Sequence, residues 1–147
     1  MSPPARFLLV EDDDAHAELI ALEMERAVGE PAIQRVVDGE AALAFLRGMP
    51  ADSCRPSAVL LDLRIPRVSG LDVLRAIKED ATLREIPVVV LTTSAAHADL
   101  AEAYARHANS FLVKPEEPEE FGNLIRDLHR YWSVWNRPPP ARPARRP

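Results

Sequence analysis

Residues 58–66 read Ala-Val-Leu-Leu-Asp-Leu-Arg-Ile-Pro. The run Ala58 to Leu63 is short, apolar on both faces and closed by a proline-bearing turn. That is the pattern of a strand at the centre of a parallel sheet covered on both sides. One residue breaks it. A carboxylate at Asp62, inside an otherwise buried run, costs several kcal/mol unless it is paired or stands at the wet end of the strand. Outward from this stretch the same theme repeats. Strands are predicted over Arg6 to Val10, Ala32 to Val37, Pro87 to Leu91 and Ser110 to Val113. Between them lie helical patterns over Asp13 to Val28, Glu40 to Leu46, a segment capped by Ser69, and His97 to Ala108. A last helix starts at Pro118 and carries Phe121, Leu124, Ile125, Leu128, Trp132 and Trp135 on one stripe. Gly29 and Pro31 close the first helix. Five β-α units in alternation predict an α/β fold with a parallel sheet and helices on both faces.

Composition narrows the function classes. The chain has 147 residues, 47% of them hydrophobic, and a net charge of −5. That balance disfavours a general grip on nucleic acid. No run approaches the roughly 20 apolar residues of a membrane helix, and the N-terminus shows no signal-peptide pattern. The lone Cys54 rules out an intrachain disulfide and fits a reducing cytoplasm. Five scattered glycines exclude a dinucleotide fingerprint and a P-loop, and the four histidines form no zinc motif. Residues 137–147, RPPPARPARRP, hold four arginines and five prolines without an acid. They are expected to form a disordered or polyproline-type tail.

Four polar positions share one structural address. Glu11-Asp12 follow the first strand, Asp62 ends the third, Thr92 follows the fourth and Lys114 follows the fifth. In an open α/β sheet, ligands bind at the carboxyl ends of the strands. Acids gathered there repel, and a hard divalent cation with oxygen ligands is the natural remedy. Asp13 and Asp14 are adequately explained as helix-capping acids. Lysine is scarce, only Lys78 and Lys114 against sixteen arginines, so a lysine at a strand end is informative. It can pair with the carboxylates and hold a phosphoryl oxygen as a point charge. Thr92 can donate its hydroxyl to another.

Together, Leu-Val-Glu11-Asp12, Leu61-Asp62-Leu63-Arg64-Ile65-Pro66 with Gly70, Leu91-Thr92 and Phe111-Leu112-Val113-Lys114-Pro115 resemble the receiver domain of two-component response regulators. Asp12, Asp62, Thr92 and Lys114 stand 50, 30 and 22 residues apart. The resemblance covers about residues 5–136. The Glu-Asp-Asp run, the long loop before the third strand and the Tyr131-Trp132 ending are similar to single-domain regulators that partner bacterial phytochromes. The resemblance implies a flavodoxin-like, doubly wound sheet of order 2-1-3-4-5 with five helices over residues 1–136. It implies that Asp62 accepts a phosphoryl group from a sensor histidine kinase. Mg²⁺ would be placed by Glu11, Asp12, Asp62 and the backbone carbonyl of Arg64. Thr92 and Lys114 would bind phosphoryl oxygens, and Phe111 would change rotamer when Thr92 moves inward. Glu11 stands where the family often has Asp and is one methylene longer, so water between it and the metal is an open alternative. Arg64 is expected to shield the acyl phosphate from water. A homodimer through the last helix and its extension, with Tyr131, Trp132 and Trp135, is the expected output surface.

Two rivals are open at this point. A Mg²⁺-dependent phosphohydrolase forming an aspartyl-phosphate would usually carry a second Asp two residues after the first, where this chain has Arg64. A scaffold that keeps the fold without phosphate would not need the full set of Glu11, Asp12, Asp62, Thr92 and Lys114.

Overall fold

The computed structural model describes residues 5–26, 32–50 and 55–140 of the chain. The strands are β1 (Arg6–Val10), β2 (Ala32–Val36), β3 (Ala58–Leu61), β4 (Val88–Thr92) and β5 (Ser110–Val113). The helices are α1 (Asp14–Glu25), α2 (Gly39–Arg47), α3 (Gly70–Glu79), α4 (His97–Ala105) and α5 (Pro118–Arg130). All strand pairs are parallel and the order is β2-β1-β3-β4-β5, so the expected doubly wound sheet is present.

The period of two in the strands sorts their side chains into two cores. Phe7, Leu9, Ala58, Leu60, Val89 and Leu91 face α1 and α5, which bring Ala17, Ile20, Met24, Phe121, Ile125 and Leu128. Leu8, Val10, Val59, Leu61, Val88 and Val90 face the opposite layer, where α2, α3 and α4 bring Ala42, Leu46, Val73, Leu74, Ile77 and Ala103. The central strands are therefore covered on both sides, which is why AVLL reads as an unbroken apolar run. Local signals set the helix starts. Asp13, Asp38 and Ser69 are N-caps whose side chains accept from the backbone N–H groups of His16, Ala41 and Asp72.

Several boundaries differ from the sequence expectation; β4, for one, runs Val88–Thr92 rather than Pro87–Leu91 and so takes in Thr92. β3 stops at Leu61 rather than Leu63. The Asp62 N–H still pairs with the Val10 carbonyl, but the Leu63 carbonyl is already turned to Gly70 N–H. α4 ends at Ala105, not Ala108, because Arg106 caps it and His107 takes a left-handed φ of 70°. The last helix does not run as one α-helix to Trp135. It passes at Tyr131 into a π-turn over Tyr131–Trp135, closed by Asn136 N–H on the Tyr131 carbonyl at 2.7 Å. The wider turn rotates the stripe. Trp132 is half-buried against the α1/α5 core, whereas Tyr131, Val134 and Trp135 are exposed. Val28, Gly29, Pro31, Cys54 and tail residues 141–147 lie outside the described residues.

One close approach ties α3 to the end of β3. A Cβ on Gly70 would lie 2.4 Å from the Asp62 carbonyl oxygen and 2.5 Å from Leu63 Cα. Gly70→Ala is expected to cost about 1–3 kcal/mol through overpacking, read as a lower urea midpoint. An unchanged midpoint would show that this contact is not held in solution.

Candidate functional site

The carboxyl ends of β1, β3, β4 and β5 place Glu11, Asp62, Thr92 and Lys114 at one end of the sheet, Thr92 as the last residue of β4 and the others just beyond their strands. Each is held by the sheet's own hydrogen bonds. Glu11 N–H donates to Val36, Asp62 N–H to Val10, and Lys114 N–H to the Thr92 carbonyl at 2.8 Å. All four residues are buried, and Glu11 is 1% exposed. Asp12 beside them is exposed.

Lys114 is the hub. Its ammonium donates to Glu11 Oε1, to Asp62 Oδ2 at 3.0 Å and to His16 Nδ1 at 3.0 Å. Three ammonium protons thus meet three acceptors, which is how a buried lysine is kept charged without an orphan donor. An ammonium has no lone pair, so His16 accepts on Nδ1 and carries its proton on Nε2. The His16 ring also packs against Phe121, centroid to centroid 5.6 Å. Burial pushes the Glu11 carboxyl up to about 7; the adjoining Asp62 adds to the rise and Lys114 opposes it. At Asp62, burial likewise pushes up, but the hydrogen bond from Glu11 and the Lys114 charge outweigh it and hold the carboxyl below its ordinary range. The two carboxyls are therefore pushed in opposite directions, Glu11 toward its neutral form and Asp62 toward its anionic one.

Asp62 also accepts from Arg64 N–H at 3.1 Å through Oδ1. One carboxylate oxygen from each of Glu11, Asp12 and Asp62 lies within 4.8 Å of the other two. Three hard oxygen donors at that spacing fit a divalent cation. Thr92 is fully buried, and its Oγ1 accepts from Ser94 N–H at 3.3 Å. Phe111 is half-buried and packs on the α3/α4 side of the sheet, paired in register with Val90.

Of the residues singled out from sequence, Glu11, Asp12, Asp62, Arg64, Thr92 and Lys114 come together at this end of the sheet. Phe111 lies within β5, and Tyr131, Trp132 and Trp135 lie beyond α5. Two neighbours were not singled out. His16 becomes a ligand of Lys114 because it sits in the first turn of α1, one turn past the acids. Arg35 on β2 donates from Nε to the Glu11 carbonyl at 3.0 Å and pairs with Asp14 at 2.9 Å. Its only signal was a charge inside a short strand pattern.

Comparison with known proteins places these features. The family model for the response regulator receiver domain matches residues 7–126. The chain is 46% identical over 137 residues to the probable methanogenesis regulatory protein FilR2 of Methanothrix harundinacea, covering 92% of this chain and 88% of that one. It is 35% identical over 133 residues to the response regulator Rcp1 of Synechocystis sp., covering 89% and 90%. The solved Mn(2+)-bound form of Rcp1 superposes with a TM-score of 0.86 at 33% identity, covering 93% of this chain and all of that one. The phosphorylated cyanobacterial phytochrome response regulator RcpA superposes with a TM-score of 0.87 at 32% identity, covering 93% and 99%.

Lys114→Met removes the cation while Glu11 and Asp62 stay buried side by side. It is expected to cost about 3–5 kcal/mol of stability, and added Mg²⁺ should recover part of the loss. Thermal unfolding with and without Mg²⁺ reads both effects; a wild-type midpoint in the variant would contradict the arrangement.

Proposed function

The chain belongs to the response regulator receiver family, and from that premise we propose that Asp62 accepts a phosphoryl group from the phosphohistidine of a sensor histidine kinase. The observation that carries the assignment is the buried Asp62 carboxylate, with one oxygen on Lys114 and the other on Arg64 N–H. Phosphoryl transfer asks for in-line positioning and charge neutralisation more than for covalent help. Lys114 supplies a fixed positive charge beside the acceptor oxygen. Glu11, Asp12, Asp62 and the Arg64 carbonyl would hold Mg²⁺, which when bound supplies further neutralisation of the transferring group. The phosphoryl group moves as a unit: an Asp62 oxygen forms the new P–O bond as the P–N bond breaks, its electron pair returning to the imidazole of the kinase histidine. Attack by water reverses the switch and returns the carboxylate.

The new group carries roughly −1.5 to −2 charge and three strong acceptors. Thr92 can turn its hydroxyl proton toward one of them, drawing inward and leaving room that Phe111 can enter. The output is contact with protein. The exposed Tyr131, Val134 and Trp135 side chains make a large apolar surface at the end of α5, where a second copy of the chain would pack. The likeness to the cyanobacterial phytochrome response regulator RcpA supports a phytochrome-type kinase as donor.

Incubation with acetyl phosphate and Mg²⁺, followed by intact mass, tests the acceptor. One phosphoryl group is expected on wild type and none on Asp62→Asn; no gain on wild type would overturn the reading. Light scattering tests the assembly. Wild type is expected at twice the 16.3 kDa chain mass, and Tyr131→Ala with Trp135→Ala is expected to shift it toward monomer. Equal masses would end the proposal.

A further inference from the structure

The two loops that leave the acceptor site, after β3 and after β4, meet on one side chain of α4. Arg64 is anchored at the site by its N–H on Asp62 Oδ1 at 3.1 Å, yet its guanidinium points away, to Asp99 Oδ2 at 3.5 Å. The same Asp99 oxygen accepts from Ser94 Oγ at 2.5 Å. Ser94 in turn reaches back through its N–H to Thr92 Oγ1 at 3.3 Å and accepts from Ala96 N–H at 3.3 Å. Asp99 is the third residue of α4, a helix whose N-cap Ala96 offers no side-chain cap. A carboxylate there suits the helix dipole. Its hold on the Ser94 hydroxyl ties down the loop, and its remaining charge faces Arg64.

The two contacts differ in strength. The serine hydrogen bond is short and shielded. The arginine pair is long, and the Arg64 side chain is 72% exposed, so that pair is weak and easily exchanged. A phosphoryl group on Asp62 would offer the guanidinium a more highly charged and bidentate partner two residues away.

We propose that Asp99 is a positioning residue that competes with the Asp62 phosphoryl group for Arg64 and thereby sets how long that group survives. This rests on the reading of Asp62 as acceptor. With Arg64 on the phosphoryl oxygens, the guanidinium covers the approach of water. With Arg64 on Asp99, the approach is open. In the loss step a water oxygen attacks phosphorus, the P–O bond to Asp62 breaks with its electron pair returning to the carboxylate, and inorganic phosphate leaves while a water proton passes to it or to solvent. Asp99 touches none of the reacting atoms; it acts through Arg64 alone.

The test is acyl-phosphate decay by intact mass after loading with acetyl phosphate and Mg²⁺ and removing the donor. Asp99→Asn keeps an oxygen for Ser94 and loses the charge that holds Arg64, so the loop before α4 stays tied down. Its lifetime is expected to lengthen about two- to fivefold, the scale of an exposed ion pair. Arg64→Ala is expected to shorten the lifetime, and Arg64→Ala with Asp99→Asn is expected to decay as Arg64→Ala alone. A merely structural role for Asp99 would change decay whether or not Arg64 is present. Unchanged decay in Asp99→Asn overturns the inference while labelled wild type leaves the acceptor reading standing. Unchanged decay in Arg64→Ala, or an Asp99→Asn effect that persists without Arg64, overturns it equally. Wild type that takes no label overturns both.

Discussion

A single buried ammonium decides what this end of the sheet can be. Two carboxylates at 1% and 8% exposure could not stand side by side without a compensating charge. Lys114 arrives from β5, Glu11 from β1 and Asp62 from β3, so the interaction exists only when three strands have taken their parallel places. The fold and the site are thus one condition. The sheet order puts the edge strand's lysine within reach of the central strands' acids, and the paired charges make it tolerable to end those strands in polar groups.

The same arrangement leaves the site unsymmetrical. Glu11, deeper, is pushed toward its neutral form, whereas Asp62 is held anionic and keeps its Oδ1 on a backbone N–H. Asp12 remains open to solvent. A cation arriving from water would meet Asp12 first and would favour the charged form of Glu11. Around this centre the weakest contact is the exposed Arg64 pair on Asp99. It has the least to lose when a new charge appears.

Much of this could be read from the chain alone, for physical reasons. Asp62 stood out because a charge inside AVLLDL has few explanations, and Lys114 because lysine is rare here. The strand order was not derivable from periodicity, which reports which face is buried but not which strand lies beside which; it came from the resemblance to receivers. The helix end at Arg106 and the π-turn at Tyr131 were missed because apolar spacing continues across both. His107 φ and the i+5 bond of Asn136 are backbone events that side-chain periodicity does not encode. His16, Arg35 and Asp99 were missed because their meaning lies in partners 24 to 98 residues distant or in a neighbouring loop.

The spacing of the Glu11, Asp12 and Asp62 carboxylates fits one divalent cation. Mn²⁺ titration followed by electron paramagnetic resonance tests it directly, with Asp12→Ala as the comparison because Asp12 is exposed and its loss does not unsettle the core. One Mn²⁺ per wild-type chain is expected, displaced by Mg²⁺, with that site lost in the variant. Equal binding by both proteins, or no binding by wild type, would contradict it.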